Sequence, residues 1–285
     1  MSCTRPLTAW RTNSVNPETG KRQITFSRNN GFVDMKLRVA CGKCEGCLKK
    51  LTKMWALRCV HENLEHKESC FITLTYDDEH LPADSSLDHS YFQKFMKRLR
   101  KKFPTKKIRY FMCGEYGDLS LRPHFHALLF GIDFDDKKEI SVSGKVTNYT
   151  SDVLSSLWGF GFVSLGSVHY GTAQYVAKYS LKALGDKGIN YEELGLMPEY
   201  RRMSNGIGSA YARRYASELE LHDNIVLNGV KNNIPRYYEN YLDPDNLSNI
   251  KDNRIKSMLR KGELSEQQLR ALEIIKGKEA KLWKN

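Results

Sequence analysis

The sequence predicts an α+β protein: an antiparallel sheet of about five strands with flanking helices, a cysteine-rich N-terminal segment and a basic, mostly helical C-terminal region. Three observations predict it. Strand-length apolar or alternating runs recur at 70–76, 107–117, 122–131 and 161–170. Segments of helical apolar period lie between and after them. Only "GDLSL" joins the second and third runs, and with Gly117 beside it that link suits a hairpin. Strands that pair antiparallel, with helices segregated from them, make an α+β fold.

The elements follow in order. Residues 1–40 are polar and read as irregular. "CGKCEGC" (41–47) precedes a helix, "LKKLTKMWALRCVHENLEH". "SCFITLTYDDEHLP" reads as a buried strand and an acidic turn closed by Pro82, and "FITLTY" looks like plain structure. Asp88 is a good N-cap for the next helix, where Phe92, Phe95, Met96, Leu99 and Phe103 hold one buried face. "KIRYFMCGEYG" and "RPHFHALLFG" are the hairpin strands, the latter entered through Pro123. A helix near 148–158 precedes the strand "GFVSLGSVHY", and "GTAQYVAKYSLKAL" (171–184) is a helix with Thr172 as its expected cap. After Gly185 the text is loop-like, and the tail 249–285 is charged and helical. The expected organisation is 1–66 cysteine-rich, 67–186 core, and 187–285 basic and mostly helical.

At 285 residues with 40% hydrophobic and 11% aromatic content, the chain can bury a sizeable core. No apolar run approaches the roughly 18 residues of a membrane span. The start, "MSCTRPLTAW", has no signal-like apolar core, so a cytosolic setting is expected. The formal charge of +12 is concentrated: "FQKFMKRLRKKFPTKK" (92–107) carries basic residues and no acid. Opposite its apolar face this helix offers a solvated stripe, including Lys97, Arg98 and Lys101, suited to phosphates. Arg201 and Arg202, in "EYRRMSNGIGSAYARRY", are further candidates for DNA contact, although a plain loop before a helix fits that segment equally well.

Two clusters carry chemistry. His124 and His126 are i and i+2, so on a strand they share one face and can address one metal ion. The plain alternative is a pair of hydrogen-bonded structural histidines. Glu115, across the expected hairpin, can complete a His-His-carboxylate set with open coordination positions, and Asp118 is the neighbouring acid. In "YVAKY", Tyr175 and Tyr179 share a helix face with Lys178 between them; a phenol next to a metal or cation can act as a nucleophile. Separately, Cys41, Cys44 and Cys47 have knuckle spacing. Zinc would need a fourth ligand, Cys3 first, with Cys59 and His61 as alternatives, and an iron–sulfur cluster stays open. An odd count of seven cysteines argues against a disulfide scaffold.

"FITLTYDDEHLP", "RYFMCGEYG…RPHFHALLFG" and "YVAKYSLKA", in this order and spacing, resemble motifs I, II and III of the HUH endonucleases. More narrowly, with "CGKCEGC", "W…R…HE" and "MSNGIG", the chain resembles replication-initiation proteins of gokushovirus-like Microviridae, over most of residues 1–215. The resemblance implies an RRM-like core that nicks one strand of a circular phage DNA, single-stranded or supercoiled, at its origin. It also implies Mg²⁺ or Mn²⁺ held by His124, His126 and Glu115, and Tyr175 and Tyr179 as alternating nucleophiles, with Lys178 contacting a phosphate. Host helicase and polymerase would be partners, in the cytoplasm of the host bacterium, with no membrane. Two other readings are a relaxase or transposase of the same chemistry, and a non-catalytic zinc-stabilised single-strand binder.

Overall fold

The computed structural model describes residues 3–117, 120–143, 146–179 and 190–282. The polar N-terminal segment is not irregular. It forms β1 (Leu7–Thr12), β2 (Ile24–Thr25) and β3 (Gly31–Val39), a three-stranded antiparallel sheet in the order β2-β1-β3. Most of β3 is solvent-exposed, so its sequence shows no alternation of polar and apolar residues. α1 (Glu45–Asn63) follows.

The core runs β4 (Ser69–Tyr76), α2 (His89–Lys102), β5 (Arg109–Tyr116), β6 (Pro123–Phe130), β7 (Lys138–Ser143), β8 (Val146–Thr150), α3 (Asp152–Trp158), β9 (Gly161–Gly166), α4 (Tyr170–Tyr179) and β10 (Tyr200–Met203). The α+β class holds, but the main sheet has seven strands rather than about five, in the order β10-β5-β6-β4-β9-β8-β7. The four residues of β10 form an edge strand that pairs with β5 and are too short to show a period. The β7–β8 hairpin occupies sequence expected as loop and helix start, and α3 begins only at Asp152, where the Ser151 hydroxyl accepts the Leu154 N–H. Beyond β10 come α5 (Ser209–Arg214), α6 (Ala216–His222), the small hairpin β11 (Ile225–Leu227) and β12 (Val230–Asn232), α7 (Pro244–Lys261) and α8 (Glu266–Leu282).

Contacts divide the chain into two compact units, residues 1–51 with 262–285, and residues 52–261. The first is therefore not continuous in sequence; within it Arg5 pairs with Glu273 at 2.5 Å. In the second, helices cover both sheet faces. Asp88 caps α2 by accepting the Ser90 N–H at 2.8 Å. Phe92, Phe95, Met96 and Leu99 then pack with Phe125, Ala127 and Leu129 of β6 and with Trp158. Each such buried side chain contributes about 2–3 kcal/mol of apolar burial. The other face packs Phe111, Cys113, Leu128 and Phe130 against Ala56 and Cys59 of α1 and Ala173, Val176 and Ala177 of α4. No helix among the described residues is long and apolar enough to cross a membrane.

Candidate active site

β5 and β6 pair with Glu115 opposite His124 and Cys113 opposite His126. Because strand side chains alternate, both histidines and Glu115 project from the α1/α4 face, leaving Phe125 and Ala127 to the α2 core. β4 lies on the other side of β6, with Thr73 opposite His126 and Thr75 opposite His124.

The three side chains converge. Glu115 Oε1 lies 3.0 Å from His124 Nε2 and 2.9 Å from His126 Nε2. Each imidazole is oriented through its other nitrogen: His124 Nδ1 bonds the Arg122 carbonyl at 3.0 Å, and His126 Nδ1 bonds Thr73 Oγ1 at 2.8 Å. A proton on His124 Nδ1, directed to the carbonyl, leaves Nε2 as a lone pair facing a carboxylate. Glu115 is 2% exposed and its Oε2 is buried without a hydrogen-bond partner. Burial opposes its ionisation, yet the two imidazoles hold its carboxyl below the usual range. Lone pairs crowded at one point, with an orphaned carboxylate oxygen, fit a divalent cation.

α4 delivers Tyr175 to this point. Its hydroxyl is 3.5 Å from His126 Nε2, and its ring meets His126 edge-on at 5.1 Å. Phe71 stacks on His126 at 5.6 Å and supports Tyr175 at its edge. Tyr175 is 39% exposed, so its phenol is accessible from outside. Lys178 is exposed in the last turn of α4. Tyr179 closes the helix backbone, but its side chain lies outside the described residues, as do Asp118 and 180–189. α4 begins at Tyr170 rather than Thr172, and His169 Nδ1 accepts the Gly171 N–H at 3.0 Å.

Sequence reasoning passed over Phe71 and Thr73. The signal was present in "FITLTY": Phe71, Thr73 and Thr75 are its alternate positions, and two hydroxyls on one face of an otherwise buried strand need polar company. Beyond Thr75 the same face continues to Phe162 of β9, which is 69% exposed.

The basic candidates are distributed differently from the histidines. α2 packs on the opposite sheet face, with Lys97 and Lys101 exposed. Arg98 donates to the Leu157 and Trp158 carbonyls at 2.7 Å each, closing the end of α3. On β10, Arg201 pairs with Cys113 and so belongs to the histidine face, whereas Arg202 pairs with Met112 and lies over Tyr200 on the other. The "SNGIG" turn docks on α1: Gly208 donates its N–H to Glu62 Oε2 at 2.7 Å, and Glu62 also pairs with Arg109 and His66. "W…R…HE" and "MSNGIG" thus pack against each other.

The second cluster lies in the unit of residues 1–51 and 262–285. Cys3 joins Cys41, Cys44 and Cys47, with the four sulfurs within 4.8 Å of one another. Cys3 Sγ is 3.7 Å from Cys41 Sγ and 3.8 Å from Cys44 Sγ. Tetrahedral ligands at zinc–sulfur bond length stand about 3.8 Å apart. The spacing suits a single ion such as zinc, and is closer than ligands spread around an iron–sulfur cluster. Burial opposes the Cys44 thiolate, but the Thr4 N–H and hydroxyl hold its thiol down to about 5. Burial and the Cys44 sulfur push the Cys47 thiol up to about 12. A cation resolves that conflict. The alternative ligands are used elsewhere: Cys59 is in the sheet core, and His61 bonds the Tyr238 hydroxyl at 2.8 Å.

The family model described as "Replication-associated protein ORF2" matches residues 69–184, the span that carries Glu115, His124, His126 and Tyr175. The replication-associated protein ORF2 of Spiroplasma virus 4 is 33% identical over 261 residues, covering 84% of this chain and 79% of that protein. The replication-associated protein VP4 of Bdellovibrio phage phiMH2K is 33% identical over 243 residues, covering 81% and 75%. The replication-associated protein ORF4 of Chlamydia phage 1 is 32% identical over 211 residues, covering 71% and 53%. No solved structure matches the chain. With that coverage, and with the matched span coinciding with the converging site, the chain belongs to the replication-associated protein ORF2 family of small single-stranded-DNA phages, the gokushovirus-like Microviridae.

Proposed function

We propose that this replication-associated protein is an HUH-type nickase and strand-transferase. It would cut one strand of the circular phage DNA at its origin and reseal it to end a rolling-circle round. One observation carries the proposal: the Tyr175 hydroxyl, both imidazoles and the Glu115 carboxylate converge on one accessible point of a sheet face. Glu115, His124 and His126 would hold Mg²⁺ or Mn²⁺, which when bound supplies charge neutralisation at the phosphate under attack. Thr73 and the Arg122 carbonyl orient the two imidazoles. Tyr175 Oη forms a bond to phosphorus as the bond from phosphorus to O3′ breaks. The phenol proton leaves to solvent and the 3′ oxygen takes one up. A 5′-phosphotyrosine and a free 3′-hydroxyl result, and the stored ester is released when a 3′-hydroxyl attacks it. Tyr179, one turn on, would serve the second cut, with Lys178 at a neighbouring phosphate. Host helicase and polymerase would extend the free 3′ end in the host cytoplasm.

The test is an SDS-stable adduct. An origin-spanning oligonucleotide labelled on the 3′ side of the nick should leave label on the protein band, and label on the 5′ side should be released with a 3′-hydroxyl end. DNA binding without any adduct would reduce the protein to a single-strand binder.

The cysteine cluster is proposed as a structural zinc site. Purified protein should contain about one zinc per chain. Chelation should expose residues 3–51 to protease, because binding of a structural zinc is worth on the order of 10 kcal/mol of folding free energy. A chain free of zinc and iron that keeps this segment protected would contradict the assignment.

A further inference from the structure

Arg58 of α1 and Arg201 of β10 share one aromatic platform on the histidine face of the sheet. The Arg58 guanidinium stands 4.1 Å above the Trp55 ring, and that of Arg201 is 5.3 Å from the same ring. Arg58 is also 3.9 Å from the Tyr237 ring and donates Nε–H to the Ile207 carbonyl at 3.0 Å. Neither arginine has a carboxylate partner among the described residues, although both are largely buried. Arg201 Nη1 is fully enclosed and has no hydrogen-bond partner.

This arrangement is costly for the free protein. Two like charges share one ring, and a guanidinium nitrogen has been taken from water without an acceptor. Burial pushes both guanidinium pKa values down, and Arg58 adds to the effect at Arg201. Planar forks held on an aromatic face are preorganised for a bidentate anion, so an oxyanion would satisfy what the protein leaves unsatisfied. Position identifies the anion. Arg201 sits opposite Cys113, which sits opposite His126, so the two backbones are two strand spacings, or about 10 Å, apart on one face.

We infer that Arg58 and Arg201, carried on Trp55, form a subsite for a backbone phosphate of single-stranded DNA lying beside the cleavage centre. The identity of the strand rests on the nickase reading, while the phosphate chemistry does not. This subsite holds the strand without regard to its bases.

Arg201→Met tests it, because methionine keeps the stem's packing and removes the charge. The full-length variant should melt at the wild-type temperature or above, since an uncompensated buried charge has gone. Its affinity for a short fluorescent oligothymidylate should fall roughly ten-fold. The dependence of log affinity on log salt should become shallower by about 0.7 for each phosphate no longer engaged. Wild-type affinity and salt slope would overturn the inference, and so would a lowered melting temperature, which would mark Arg201 as a structural residue. Oligothymidylate binding involves no cleavage, so failure of the adduct test leaves this result standing, and the reverse also holds.

Discussion

His126→Ala is expected to lower nicking by on the order of 10³-fold at saturating Mn²⁺, with the chain still folded. His124→Ala should behave alike. The size follows from losing one of three ligands to a cation that contributes several kcal/mol of charge stabilisation, at about 1.4 kcal/mol per ten-fold in rate. At His126 the loss extends further, because its ring touches Phe71, Thr73 and Tyr175 and so also places the phenol. Folding should survive, since the apolar packing that holds β6 comes from Phe125, Ala127 and Leu129 on the opposite face and from Leu128 and Phe130 on the same face. A nicking assay beside a thermal melt checks both halves. Nicking at the wild-type rate by either variant would end the metal-site assignment.

Much of this site was legible in the sequence, for a local reason. The short link between β5 and β6 fixes an antiparallel register, and i, i+2 spacing fixes a shared face, so Glu115 meeting His124 follows from local chemistry. The helical period of α2 likewise shows which of its faces is buried. It does not show which face of the sheet that helix covers, and α2 lies opposite the histidines. Arg98 illustrates the same limit: its charge suggested phosphate, while its guanidinium is bound to the end of α3. β1, β3 and β10 were not legible, because exposed or four-residue strands acquire their conformation from partners distant in sequence. The Trp55–Arg58–Arg201 platform was hidden for the same reason. Cys3 is a milder case: its role was anticipated by the ligand count, and the fold of the first strands brings it to Cys41 and Cys44.

The larger expected effect is on the tyrosines. Tyr175→Phe and Tyr179→Phe should each still form some covalent DNA adduct but fail to complete a replication round, because ending the round requires a second free phenol. The double variant should bind DNA and form no adduct at all. The structure places the Tyr175 hydroxyl at the site, and Tyr179 follows at i+4 on the same helix. Removing a single hydroxyl leaves the ring to pack against Phe71 and His126, so the loss should be chemical rather than structural. If one single variant loses all adduct, the mechanism reduces to one nucleophile and the other phenol orients a phosphate.

The most direct measurement is to trap the wild-type adduct on an origin oligonucleotide, digest it with trypsin and identify the residue that carries the 5′-phosphate. Lys178 lies between the two tyrosines, so cleavage there releases them on separate peptides. The nickase account predicts DNA on the peptide ending at Lys178, through Tyr175, or on the one beginning at Tyr179. DNA linked to any other residue, or an adduct that persists in the double phenylalanine variant, would contradict it.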